Sequence, residues 1–121
     1  MRNIFRYLFA VLLILAGINH FFSPESYLPL IPPYIPYPAF VNLMSGFLEI
    51  LFGVGLFTKV YRKISAYGVM TLMVLFIPAH IHHIMMDGCV SDQICIPLWA
   101  AWVRLIVLQP LLIYWAWAIR K

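Results

Sequence analysis

The sequence predicts an all-α integral membrane protein, a four-helix transmembrane bundle with N-terminus and C-terminus both cytoplasmic. Three observations predict it. Of 121 residues, 64% are hydrophobic and 10% charged, whereas soluble domains run near half apolar and about a quarter charged. Four continuous apolar stretches each approach the roughly 20 residues that cross a hydrocarbon core of about 30 Å. The basic residues gather at the two ends and in one connection. A water-soluble fold of this length lacks the interior to hide so much apolar surface, so lipid must cover it.

The spans run from about Ile4 to Phe22, Ala39 to Phe57, Ile64 to Met86 and Pro97 to Ile119, within one domain covering residues 1–121. Their apolar runs are continuous and lack the two-residue alternation of barrel strands, so each is read as a helix. Span one has a basic start like a signal peptide. No small-x-small cleavage site precedes a polar sequence, and it is read as an uncleaved helix.

Orientation follows from charge. Arg2, Arg6, Lys59, Arg62, Lys63, Arg120 and Lys121 lie at the termini and between spans two and three. The other two connections, Ser23 to Pro38 and Asp87 to Ile96, hold no Lys or Arg. Seven against none is a strong positive-inside bias. The formal charge of +4 is therefore a topology signal and not a nucleic-acid surface. The predicted location is a multi-pass position in a bacterial plasma (inner) membrane. Trp99, Trp102, Tyr114, Trp115 and Trp117 near the ends of span four, with Tyr27, Tyr34 and Tyr37 in the first loop, fit headgroup belts.

That first loop holds six prolines and few polar residues. Proline forbids a long helix, and the apolar residues between prolines disfavour a solvated linker. Two readings stand: a semi-rigid flap at the membrane interface, or a plain connector.

In span two, Asn42, Ser45, Gly46, Glu49 and Gly53 recur at steps of three and four and share one face. Small residues there let a neighbouring helix approach, which turns Glu49 towards the bundle. At ~1.5 Å per residue, Glu49 lies about 16 Å deep and Arg104 of span four about 10 Å deep. Each charge alone would cost roughly 2.5–3.5 kcal/mol, so an Arg104–Glu49 contact, direct or through one water, is expected. It would be a structural ion pair or the anchor of a ligand-binding cavity.

A second polar cluster comprises Asn19 and His20 at the end of span one and His80, His82 and His83 after Pro78 in span three. Pro78 should kink that helix or free a carbonyl. His80 and His83 share a face, which Asp87 would extend if the helix continued. This spacing is compatible with a metal site completed by His20, but weakly so; hydrogen-bonded interfacial histidines are commoner. A quinone headgroup held by a histidine and an arginine is equally compatible. Cys89 and Cys95 share a loop on the predicted outer side, where a disulfide staple is the default; thiol exchange or two free thiols are the alternatives. Closing so short a loop is worth about 2 kcal/mol on the chain-entropy model.

Several motifs together resemble the DoxX-like family of small four-span membrane proteins. They are Gly17-Ile18-Asn19-His20-Phe21, the proline loop Leu28 to Pro38, Ser45-Gly46 followed by Glu49 and Gly53-x-Gly55, and Pro78-Ala79-x-Ile81-His82. The resemblance covers about Ala16 to Ile84. It implies a four-helix bundle and, for some relatives, a link to quinone-dependent redox chemistry; for others it implies a role in assembling a partner. This chain carries His80 where the family pattern usually has Asn.

Two function classes result. One is a redox-associated component binding a small lipophile such as quinone in the outer half of the bundle, with Asn19, His20, Glu49, His80, His83 and Arg104 as its polar residues. The other is a non-enzymatic accessory or assembly factor for a membrane partner, or a homo-oligomer. A solute carrier ranks last, since no inverted repeat is visible. No nucleophile with an adjacent base, phosphate loop or strong metal motif marks an enzyme.

Overall fold

The computed structural model describes residues 1–91 and 94–121; Asp92 and Gln93, in the connection from Asp87 to Ile96, lie outside the described residues. Among the described residues the chain forms four helical rods of 21, 19, 24 and 21 residues, each long and apolar enough to cross a membrane. The first rod is α1 (Arg2–Phe22) and the second α2 (Pro38–Leu56). The third joins α3 (Arg62–Leu75) to α4 (Ile77–Met85). The fourth joins α5 (Leu98–Val103), a π-helical segment (Arg104–Leu108) and α6 (Gln109–Ala118). The proline loop contributes two 3₁₀ turns, Pro24–Ser26 and Leu28–Leu30.

Both interruptions have a proline cause. Pro78 has no N–H for the carbonyl one turn back, and its ring crowds that turn. The third rod accordingly breaks at Phe76, whose carbonyl accepts from the amides of Ala79 (3.1 Å) and His80 (3.3 Å). In the fourth rod Pro110 deprives the Ile106 carbonyl in the same way. The turn before it widens, and the Gln109 amide reaches five residues back to the Arg104 carbonyl.

The distribution of polarity is that of a lipid-covered protein. Large apolar side chains such as Phe5, Leu12, Phe47, Leu75 and Ile106 face outward, while Arg6, His20, Asn42, Glu49, His83 and Gln109 are buried. The apolar core fills the half of the bundle nearest the termini, where Phe9, Leu13, Leu56, Val69, Leu72 and Ile119 meet. The half nearest the proline loop is the polar one.

The tightest seam joins α1 to α2 through glycine. A Cβ built on Gly17 would stand 2.6 Å from the Gly46 carbonyl oxygen, and one on Gly46 would stand 2.6 Å from the Cβ of His20. The small-residue face read in span two is therefore the face that meets α1. This close approach places the polar residues of the two helices in contact.

Candidate functional site

The α1–α2 seam carries a three-residue polar cluster. The Asn42 amide donates from Nδ2 to the His20 carbonyl at 3.0 Å. Its Oδ1 must then be the partner of His20 Nδ1, at 2.8 Å, so Nδ1 carries the proton. That tautomer turns Nε2 towards Glu49 Oε2, 3.2 Å away. Two groups that are both acceptors when unprotonated cannot share this contact. A proton on either group, as imidazolium against carboxylate or as imidazole against carboxylic acid, would relieve the contact. The contact lies off the donor axis, and Oε2 has no aligned donor among the described residues.

The proline loop closes over this cluster. Tyr27 stacks on the His20 ring with centroids 3.9 Å apart, and the Tyr27 hydroxyl accepts from Asn19 Nδ2 at 2.6 Å. Asn19 thus holds the loop.

Across the bundle, α4 and the π-helical segment carry a second set. His83 Nε2 lies 2.7 Å from the Gly88 carbonyl, which can only accept, so Nε2 donates. Nδ1 is then a lone pair and accepts from Arg104 Nη1 at 3.0 Å. The expected Arg104–Glu49 contact is not made directly: Glu49 meets His20, and Arg104 meets His83. The reason is side-chain direction. Helical side chains lean towards their own N-terminus. Arg104 descends from the loop end and leans back up to His83. Glu49 leans towards the loop end, and His20, on the antiparallel α1, leans down to meet it.

The weak metal candidates His80, His83 and Asp87 are not brought together. Both ring nitrogens of His83 are engaged. The helix stops at Met85, and Asp87 adopts a left-handed conformation (φ 57°) that turns the chain off the helix face. Among the described residues no three His, Cys, Asp or Glu side chains form a metal-binding group. Cys89 and Cys95 are disulfide-bonded and form an isolated antiparallel bridge.

Between the two sets lies a cavity of about 210 Å³. His20, Asn42, Ser45 and Glu49 form one wall, Phe76, Pro78, His80 and Arg104 the other, and Tyr27, Leu30, Ile31, Pro32 and Ile35 of the proline loop the roof. Its surface is mostly apolar, with one guanidinium on one side and the His20–Glu49 pair on the other. His80 and Arg104 reach this cavity; His83 stands behind Arg104.

Two buried polar residues escaped the sequence reading. Arg6, counted as a topology residue, is 1% exposed; its Nε donates to the Ile119 carbonyl at 3.1 Å and its Nη1 to Asn3. Gln109 donates from Nε2 to the Met73 carbonyl at 2.6 Å, just before the break in the third rod. For Gln109 the available signal was Pro78, which interrupts the helix next to the carbonyl it reaches; for Arg6 the sequence pattern held no signal.

The fold and cavity define an all-helical membrane bundle with a mostly apolar pocket, carrying a few polar groups, at one end of its four rods. The chain belongs to the family described as Domain of unknown function (DUF8561), whose model matches residues 9–120. Neither a curated protein nor a solved structure matches it.

Proposed function

We propose that this protein holds the headgroup of a quinone-class lipophile in the cavity beneath the proline loop and exchanges a proton with it. The observation carrying this reading is the placing of Arg104, a cation with N–H groups beyond its bond to His83, opposite the His20–Glu49 pair, 3.2 Å apart, across a mostly apolar cavity. A quinone carbonyl needs such a donor. Two-electron reduction also places charge on its two oxygens, which the same cation stabilises; the pair passes one proton to one oxygen, and the second proton comes from water at the loop end. The electrons come from a redox protein of the same membrane. A volume of about 210 Å³ is below the roughly 300–1,000 Å³ of sites that enclose a whole drug-sized ligand. A headgroup fits, and its tail leaves between the rods into lipid. The DoxX-like resemblance of the motifs points the same way. With the termini in the cytoplasm of a bacterial inner membrane, the cavity lies in the outer leaflet.

The test is titration of detergent-purified protein with a short-chain benzoquinone, followed by tryptophan fluorescence. Saturable binding is expected, weakened about tenfold or more by Arg104→Ala, the change one hydrogen bond from a charged group supports. No binding, or equal binding by the variant, overturns the reading.

The accessory reading has one observation in its favour, the exposed aromatic rim of Tyr34 and Tyr37 at the loop end. It requires stable co-purification with a membrane partner and no effect of His80→Ala on that partner's activity.

A further inference from the structure

Arg104 is aimed by a chain of hydrogen bonds that ends at the disulfide. The α4 helix closes in a Schellman arrangement: the Gly88 amide reaches the His83 carbonyl (2.9 Å) and the Asp87 amide the Ile84 carbonyl (3.0 Å). Gly88, at φ 86°, takes a conformation suited to glycine. Its carbonyl accepts twice, from His83 Nε2 at 2.7 Å and from the Ile96 amide at 2.9 Å. Gly88 and Ile96 are the immediate neighbours of Cys89 and Cys95, the bonded pair. The bridge therefore pins the two strands whose closure presents the Gly88 carbonyl to His83.

His83 is the relay. It is 1% exposed, and its two ring nitrogens have opposite roles fixed by their partners. Donation to Gly88 forces the lone pair onto Nδ1, and only that tautomer can accept from Arg104. If the Gly88 carbonyl withdraws, the Nε2 proton loses its acceptor, the ring is free to turn, and the guanidinium loses the fixed acceptor that sets its place on the cavity wall. Both cysteines are exposed, so the bridge is open to reductants.

We infer that the Cys89–Cys95 loop, acting through His83 as a positioning residue, sets where the Arg104 guanidinium stands in the cavity, so that reduction of the bridge releases Arg104 and weakens the ligand site. For the identity of the ligand this rests on the quinone reading above; for the position of Arg104 it does not.

Two readouts keep those apart. The first needs no ligand: the purified protein, oxidised or reduced by a phosphine, is treated with phenylglyoxal, and modification of each arginine is followed by peptide mass spectrometry. Arg104 should react about tenfold faster after reduction, and as fast in His83→Ala in either redox state. His83→Gln should stay near the oxidised wild-type rate, because its amide both donates and accepts. Arg6, buried at the opposite end, is the internal control and should not change. The second readout is affinity for the short-chain benzoquinone, expected to fall about tenfold on reduction. Unchanged Arg104 reactivity on reduction overturns the inference, as does a parallel rise at Arg6, which would mean global loosening. Faster Arg104 modification without any quinone binding supports the inference and sinks the quinone reading instead.

Discussion

Replacing Gly46 with alanine tests the seam on which the site is built. The added Cβ would lie 2.6 Å from the Cβ of His20 and 2.8 Å from the Gly17 carbonyl oxygen. Neither is the free end of a flexible side chain, so the helices must part. Reaching ordinary contact near 3.4 Å separates α1 from α2 by about 0.8 Å at this level. The same shift would stretch the 2.8 Å His20–Asn42 bond out of hydrogen-bond range. Overpacking costs typically about 1–3 kcal/mol, and each of the two His20–Asn42 bonds is worth about 0.5–1.5 kcal/mol net. Since neighbouring effects are not additive, a loss of about 3–4 kcal/mol is expected. The assay is reversible unfolding in mixed micelles by a denaturing detergent, followed by far-ultraviolet circular dichroism. Gly68→Ala is the comparison. The three atoms nearest its Cβ would all belong to the ring of Phe52, at 2.5–2.8 Å, and the ring can turn aside, for a loss nearer ~1 kcal/mol. A Gly46→Ala protein within about 1 kcal/mol of wild type, or less damaged than Gly68→Ala, would refute the reasoning.

Two further predictions concern the buried polar residues that brace the rods. Arg6→Ala leaves the Ile119 carbonyl without its donor and should lower stability by about 2–3 kcal/mol in the same assay, with Arg6→Lys losing less; an unchanged midpoint would show that the bond adds nothing. Gln109→Leu keeps the volume but removes the donor to Met73, for an expected loss of about 1–3 kcal/mol. Gln109→Glu should be worse, because an ionised carboxylate would face a carbonyl oxygen; wild-type stability in both would count against a supporting role.

In the polar half of this bundle the acid and the base each face an imidazole instead of forming the single acid–base pair that their charges suggest. Arg104 has a neutral imidazole as partner, and Glu49 faces the His20 imidazole at 3.2 Å without an aligned hydrogen bond. Both arrangements leave capacity unused: spare N–H groups on the guanidinium and a carboxylate oxygen without an aligned donor. A fully satisfied ion pair would have no such reserve for a ligand.

The sequence by itself determined the four rods, their approximate ends and the small, polar face of the second. These follow from lengths of apolar chain and from a period of 3.6 residues, which a one-dimensional pattern records. It also marked His20, Glu49, His80 and Arg104 as residues needing company, because a polar group in hydrocarbon must be satisfied. Only the tertiary structure decided which of them meet. Depth counting put Glu49 and Arg104 within reach of each other, but depth along an axis says nothing of rotation about it or of the lean of a side chain. The burial of Arg6 against Ile119, residues at opposite ends of the chain, and the π-helical turn at Arg104 were likewise settled by how four rods pack. A pattern along the chain fixes what each helix must bury; three-dimensional packing chooses the partner it is buried against.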